Sequence, residues 1–165
     1  MEAEELLKKY ANGARQFAGM NLSEINLSQA HLKDIDLSEA TLVVANLSGA
    51  NLSSANLSRA KLNVAKLSGT NLSGANLRGA DLNVANLIRA DLSNTDLTQA
   101  ALVRTEMLRA DLSGAILQDA NLSGALLKEA KLIRADFRGA NLSEADLSSS
   151  SLMGANLEQA TFRGT

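Results

Sequence analysis

Residues 36–90 read DLSEA TLVVA NLSGA NLSSA NLSRA KLNVA KLSGT NLSGA NLRGA DLNVA NLIRA, eleven pentads with a large apolar residue at the second place of each. The register extends outward in both directions. From Phe17 to Phe162 every fifth residue is large and apolar, without one insertion or deletion: of thirty such positions twenty-six are Leu, three are Phe and one is Met107. Two residues before each sits a small residue, usually Ala, as in Ala40-Thr41-Leu42. A period of five matches neither the 3.6 of a helix nor the alternation of a long strand. Within one pentad, however, Ala and Leu are two apart, and in extended backbone they point to the same side. The other two places hold pairs such as Ser48-Gly49, Ser53-Ser54 and Arg78-Gly79, types that suit a corner where the chain turns. A short inward-facing segment and a corner, repeated, make a coil. Coils stacked at the ~4.8 Å strand spacing pair their backbone groups, so that Leu fills the axis and Ala is small for want of room. The residue between them faces outward and is Asn or Asp at eighteen of the thirty positions. Short amides and carboxylates bond local backbone at turns, so these residues read as structural rather than catalytic.

Composition agrees with a repeat. The 165 residues include four aromatics (Tyr10, Phe17, Phe137, Phe162) and no Pro, Trp or Cys. Without Cys there is no disulfide framework and no thiolate site. Sixteen basic against eighteen acidic side chains leave a net charge of −2, which gives no strong field for DNA, RNA or anionic lipid. The N-terminus carries three glutamates before Leu6 and lacks a signal-peptide pattern, and no apolar run approaches a membrane span. A cytoplasmic protein is the expectation.

The pattern A-(N/D)-L-x-x, as in Ala45-Asn46-Leu47-Ser48-Gly49 and Ala75-Asn76-Leu77-Arg78-Gly79, resembles the pentapeptide-repeat proteins over roughly nine tenths of the chain. The resemblance implies an all-β fold, a right-handed quadrilateral parallel β-helix with four repeats per coil. Thirty repeats then make about seven and a half coils, a rod of roughly 36 Å at the strand spacing. Residues 1–14 read as an N-terminal capping helix, with Glu2, Glu4 and Glu5 early, Leu6, Leu7 and Tyr10 on one side, Lys8 and Lys9 later and Asn12-Gly13 as a stop. Residues 15–165 form the β-helix. The leader, residues 6–17, resembles that of cyanobacterial members. No comparable cap covers Leu147, Leu152, Leu157 and Phe162, and that uncapped end is a candidate surface for a homodimer.

Enzymatic chemistry has no foothold in the sequence. His31 is alone, without Cys or a second His for a metal site, and the glycines fall at corners such as Gly49, Gly69, Gly74 and Gly79 rather than in a phosphate-binding loop. No cofactor and no catalytic residue is expected. Departures from the consensus carry more information. With residues twenty apart stacked, Val44, Val64 and Val84 form one column, flanked by Val43 and Val103. Ile88-Arg89 lies under Leu108-Arg109 on what reads as another face, with Leu126 next along, and Ile133 stacks with Met153. Exposed apolar surface edged with Arg marks protein-binding sites. The competing account is that β-branched residues simply suit the ladder there.

Two functions follow. One is a non-enzymatic scaffold or regulator that binds an unidentified protein through Val43, Val44, Val64, Val84, Val103, Ile88, Arg89, Leu108 and Arg109, with direct nucleic-acid binding and membrane association not expected. The alternative comes from the resemblance: some pentapeptide-repeat proteins mimic duplex DNA and modulate a topoisomerase such as DNA gyrase. Asp91 and Asp111 stack, and Asp36, Asp96 and Asp136 share a face, but Arg59, Arg78 and Arg138 lie on that face too.

Overall fold

A computed structural model describes all residues 1–165. The chain begins with one helix, α1, Ala3–Ala11, and continues as a right-handed quadrilateral β-helix. Parallel bridges join residues twenty apart without interruption, from Gln16–Asp36 to Asn141–Thr161. The outward residues define four faces: the first runs from Gln16 to Asn156, the second from Asn21 to Thr161, the third from Asn26 to Asp146 and the fourth from His31 to Ser151. Each strand-like segment is a single bridged residue, because a corner follows two residues later.

Hydrogen bonding explains why five residues suffice. In the repeat that starts at Asn46, the Asn46 N–H donates back to Ile25 O, while the Leu47 and Gly49 N–H groups donate forward to Lys66 O and Ser68 O. The Ala50 N–H closes the corner on Leu47 O at 3.0 Å. Only the Ser48 N–H has no backbone acceptor, and it donates to Asn46 Oδ1 at 3.1 Å. The same bond recurs at all eighteen Asn and Asp positions, which is their structural role. Where Ala101 offers no acceptor, Asn83 of the coil below accepts from the Val103 N–H at 2.8 Å. Replacing Asn76 by Ala strands the Arg78 N–H and breaks the amide link to Asn56. The expected loss is about 1 kcal/mol, read as a lower urea midpoint at unchanged slope, whereas Asn76→Asp keeps the acceptor for Arg78 and costs less.

Each corner is a tight turn whose second central residue adopts positive φ, as a type II turn requires. All thirty repeats obey, ten with Gly and twenty with another residue. The core is the stack of Leu side chains from Leu22 to Leu142, with Phe17, Met107 and Phe137 at equivalent places and Ala in the gaps. Thr70, Thr95 and Thr105 replace buried Ala, and their hydroxyls donate to Leu47 O, Leu92 O and Leu102 O. No buried side-chain polar atom lacks a partner.

The first coil is covered by α1, which buries Leu6 completely. Larger residues, Met20, Ile25 and Ile35, take the usual Ala places nearby and pack with the same core. Helix α1 ends at Asn12 and Gly13, the latter at φ +97°. The Ala14 N–H reaches Lys9 O and the Gly13 N–H reaches Tyr10 O, a Schellman closure of the helix. Tyr10 then donates to Lys33 O at 2.8 Å, and the Arg15 guanidinium sits 3.9 Å over its ring, fixing the helix to the first coil. No helix is long and apolar enough to cross a membrane.

Candidate interaction surface

The positions that the sequence singles out fall into two rows, and both border the third face. Val44, Val64 and Val84 occupy the corner that enters it; Ile88, Arg89, Leu108 and Arg109 occupy the corner that leaves it, with Asn46, Lys66, Asn86, Glu106 and Leu126 along its middle. The expectation that the arginine-edged row lies on a different face from the valines is therefore corrected. Val84 and Arg89 are five positions apart in the chain, one side of the quadrilateral.

The valine column is exposed, at 44%, 50% and 55% for Val44, Val64 and Val84. Its backbone decides between the two accounts of it. The three residues have φ of 60°, 60° and 59°, the left-handed region, where a β-branched side chain is a steric outlier. Their N–H groups do bond the coil above, as Val64 to Asn83 O, but they hold left-handed turn positions outside the bridged residues, and β-propensity, which favours extended backbone, does not explain them. The column continues below into Glu24 and above into Arg104, a short apolar strip with an acid at one end and a base at the other.

Val43 and Val103 do not widen this strip as expected. They belong to the first turn position of the second face, where Asn63 and Asn83 lie between them, and both are half-buried. Asn63 donates to Asp81 at 2.5 Å and Asn83 accepts from Val103, so this neighbouring row is polar. Ile88 and Leu108 are also only half-buried. Arg109 is held by Glu129 at 2.6 Å, and its guanidinium, by hydrogen bonding first, keeps the Glu129 carboxyl below its usual range. Arg89 makes no ion pair.

Leu126, 47% exposed, belongs with this surface more than the sequence suggests. It stands where most repeats carry Asn or Asp, and so forgoes the bond that such a side chain would give the Lys128 N–H. Ile116, on the first face, is the same kind of substitution. The sequence reading placed Leu126 beside the arginine-edged row but did not single out Ile116, for which the same signal was available, an apolar residue at an outward place. Ile133 and Met153 do stack on the fourth face, beside an open groove of about 370 Å³ lined mainly by Ser, Asn and Gly.

Acids on the first face are largely neutralised. Asp96 meets Arg78 at 3.1 Å and Asp136 meets Arg138 at 2.7 Å. The Arg138 guanidinium, chiefly, with help from the Gln118 amide, holds Asp136 at about 2, although partial burial opposes this. A folded-state value below the unfolded one stabilises the protein above pH ~4, and that contribution is lost as pH falls from there toward 2. Urea unfolding across this window should show wild type losing stability that Asp136→Asn never had, so the two curves converge at the acid end. On the fourth face Asp91 and Asp111 are bridged neighbours, and Lys131 lies 3.8 Å from Asp111. His31 is exposed, and no group of three or more His, Asp or Glu side chains converges to hold a metal ion.

These features define a four-sided parallel β-helical solenoid that presents side-chain surfaces along a regular rod. The family model for pentapeptide repeats matches in eight copies, over stretches running from 21–59 to 130–165, and the chain belongs to the pentapeptide-repeat family. Among solved structures it is similar to HetL, a pentapeptide repeat protein involved in heterocyst differentiation regulation from the cyanobacterium Nostoc sp. strain PCC 7120, at 31% identity over 97% of this chain and 96% of that one, with a TM-score of 0.46. It is similar to alr5209 of Nostoc PCC 7120 at 29% identity over 94% of each chain, with a TM-score of 0.34. Full-length QnrB1, a plasmid-mediated fluoroquinolone resistance protein, is 18% identical over 89% of this chain and 91% of that one, with a TM-score of 0.46. No curated protein matches the chain.

Proposed function

We propose that this protein is a non-enzymatic, cytoplasmic scaffold that docks another protein on its third face. The observation that carries this reading is the stack of three exposed valines in left-handed turns. Ten repeats of the same chain solve the same turn with Gly, so the fold has no need of valine there. A side chain kept against its conformational preference and turned to solvent is the pattern expected of a binding surface. Leu126, which gives up a backbone bond to expose an aliphatic side chain, supports it independently. The half-buried Leu147, Leu152 and Leu157 and the exposed Phe162 support a second, separate contact with another copy of the chain, which sedimentation would reveal as a dimer.

The test is affinity capture from a lysate of the source organism, with the intact protein beside a variant carrying Val64→Glu, Val84→Glu, Arg89→Glu and Arg109→Glu. A partner retained by the first and lost by the second, with both equally folded by circular dichroism, supports the third face as the working surface. Equal capture by both removes it.

A second reading, mimicry of DNA toward a topoisomerase such as DNA gyrase, draws on the bridged Asp91 and Asp111. Mimicry requires about two charges per 3.4 Å of rod, and the ion pairs of Asp96, Asp111 and Asp136 dilute that density. Inhibition of gyrase supercoiling by the purified protein would favour it over docking.

A further inference from the structure

Charge is distributed unevenly over the rod in a way the net value of −2 conceals. Six cations are held in ion pairs, leaving ten free cations and twelve free acids. Four of those ten, Lys66, Arg89, Arg104 and Lys128, lie on the third face or its two corners between the third and sixth coils, and all four are exposed. Only one free acid, Glu106, shares that stretch. Elsewhere six free cations stand against eleven free acids. This concentration of free cations surrounds Val64 and Val84, and Leu126 lies at its upper edge, between Glu106 below and Asp146 in the next coil.

We infer that the third face recognises an acidic protein segment whose aliphatic side chains alternate with its carboxylates. This deepens the docking function proposed above and rests on it. The apolar residues supply the desolvated anchors, and the surrounding cations supply complementarity that steers encounter and rejects basic partners. The carboxylates would meet Arg89 and Arg104 at opposite corners, across the side of the rod from each other, with Lys66 and Lys128 below and above. Nucleic acid fits less well. Its bases bind single-stranded sites by stacking on aromatic rings, and no aromatic residue lies on this face, whereas Glu106 would repel a phosphate backbone. A second copy fits less well too, because a symmetric contact through this face would set like charges against one another.

The test uses the full chain as bait for random peptides displayed on phage, followed by fluorescence anisotropy of the enriched peptides. Wild type is compared with K66Q/R89Q/R104Q and with V64N/V84N, and a duplex DNA of mixed sequence is titrated in parallel. The expected result is enrichment of peptides rich in Asp and Glu together with Leu, Ile or Val. Their affinity should fall about tenfold in either variant and weaken as salt rises to the physiological level. Enriched peptides that are neutral or basic, lose binding in V64N/V84N and are indifferent to K66Q/R89Q/R104Q would overturn the acidic partner while leaving docking intact. Peptides indifferent to both variants would overturn docking on this face as well. DNA that binds more tightly than the peptides and competes with them would replace the protein segment by a nucleic acid.

Discussion

Leu92→Asp is expected to abolish the cooperative unfolding transition. Leu92 is fully buried, stacked between Leu72 and Leu112 on the fourth side of the core. Removing a buried Leu side chain costs about 2–5 kcal/mol, and a carboxylate in its place adds several more, either as a desolvated charge or as the work of keeping it protonated. The sum rivals the whole stability of an ordinary domain, about 5–15 kcal/mol. Topology sharpens the effect. In a solenoid each coil holds only its neighbours, so a fault at Leu92 divides the stack near its middle and leaves two short rods with bare leucine ends. Circular dichroism should lose the β-helical signal, and soluble yield should collapse. Leu92→Met is the control: Met107 already fills an equivalent buried place, and such a swap usually costs under about 1.5 kcal/mol. A cooperative Leu92→Asp variant with a midpoint near wild type would mean the core is not this continuous stack.

Much of this fold was legible because period five admits few solutions. The unbroken Leu spacing, the small residue two places earlier and the corner pairs together required a coil, and the coil required its stack. The role of Asn and Asp was legible as well, since their short side chains are the acceptors a turn calls for. Handedness and the number of sides were not in the spacing and came only through resemblance to a family. The candidate surface was legible in its members but not in its layout. A linear reading shows that Val84 and Ile88 depart from consensus, yet not that the two lie at opposite corners of one side. Nor does it show that Val43 is separated from Val103 by a hydrogen-bonded asparagine row. Backbone conformation was the larger gap: the register puts Val64 at a corner, but sequence alone does not show that the corner holds it at positive φ, which is what makes a valine costly there.

Replacing Val44, Val64 and Val84 together by Asn is expected to stabilise the protein while removing its docking surface. Holding an L-residue in the left-handed region costs about 1–2 kcal/mol, and a β-branched one is among the worst placed to do so. Asn tolerates that conformation through its short polar side chain, and Asn94 already occupies one of these corners at φ 56°. Against the gain stands the apolar packing of one valine on the next along the column. Because each valine is roughly half exposed, that packing is worth a fraction of the ~1.5–3 kcal/mol for a fully buried aliphatic side chain. The balance for three positions is a net gain of about 1–3 kcal/mol. The decisive measurement is the urea-unfolding midpoint of V44N/V64N/V84N beside wild type, followed by circular dichroism. A higher midpoint at unchanged slope is predicted, and it would mean that the valines are kept at the expense of stability for something outside the fold. A lower midpoint would mean that the column helps hold the rod together, and the third face would lose its claim to be a binding surface.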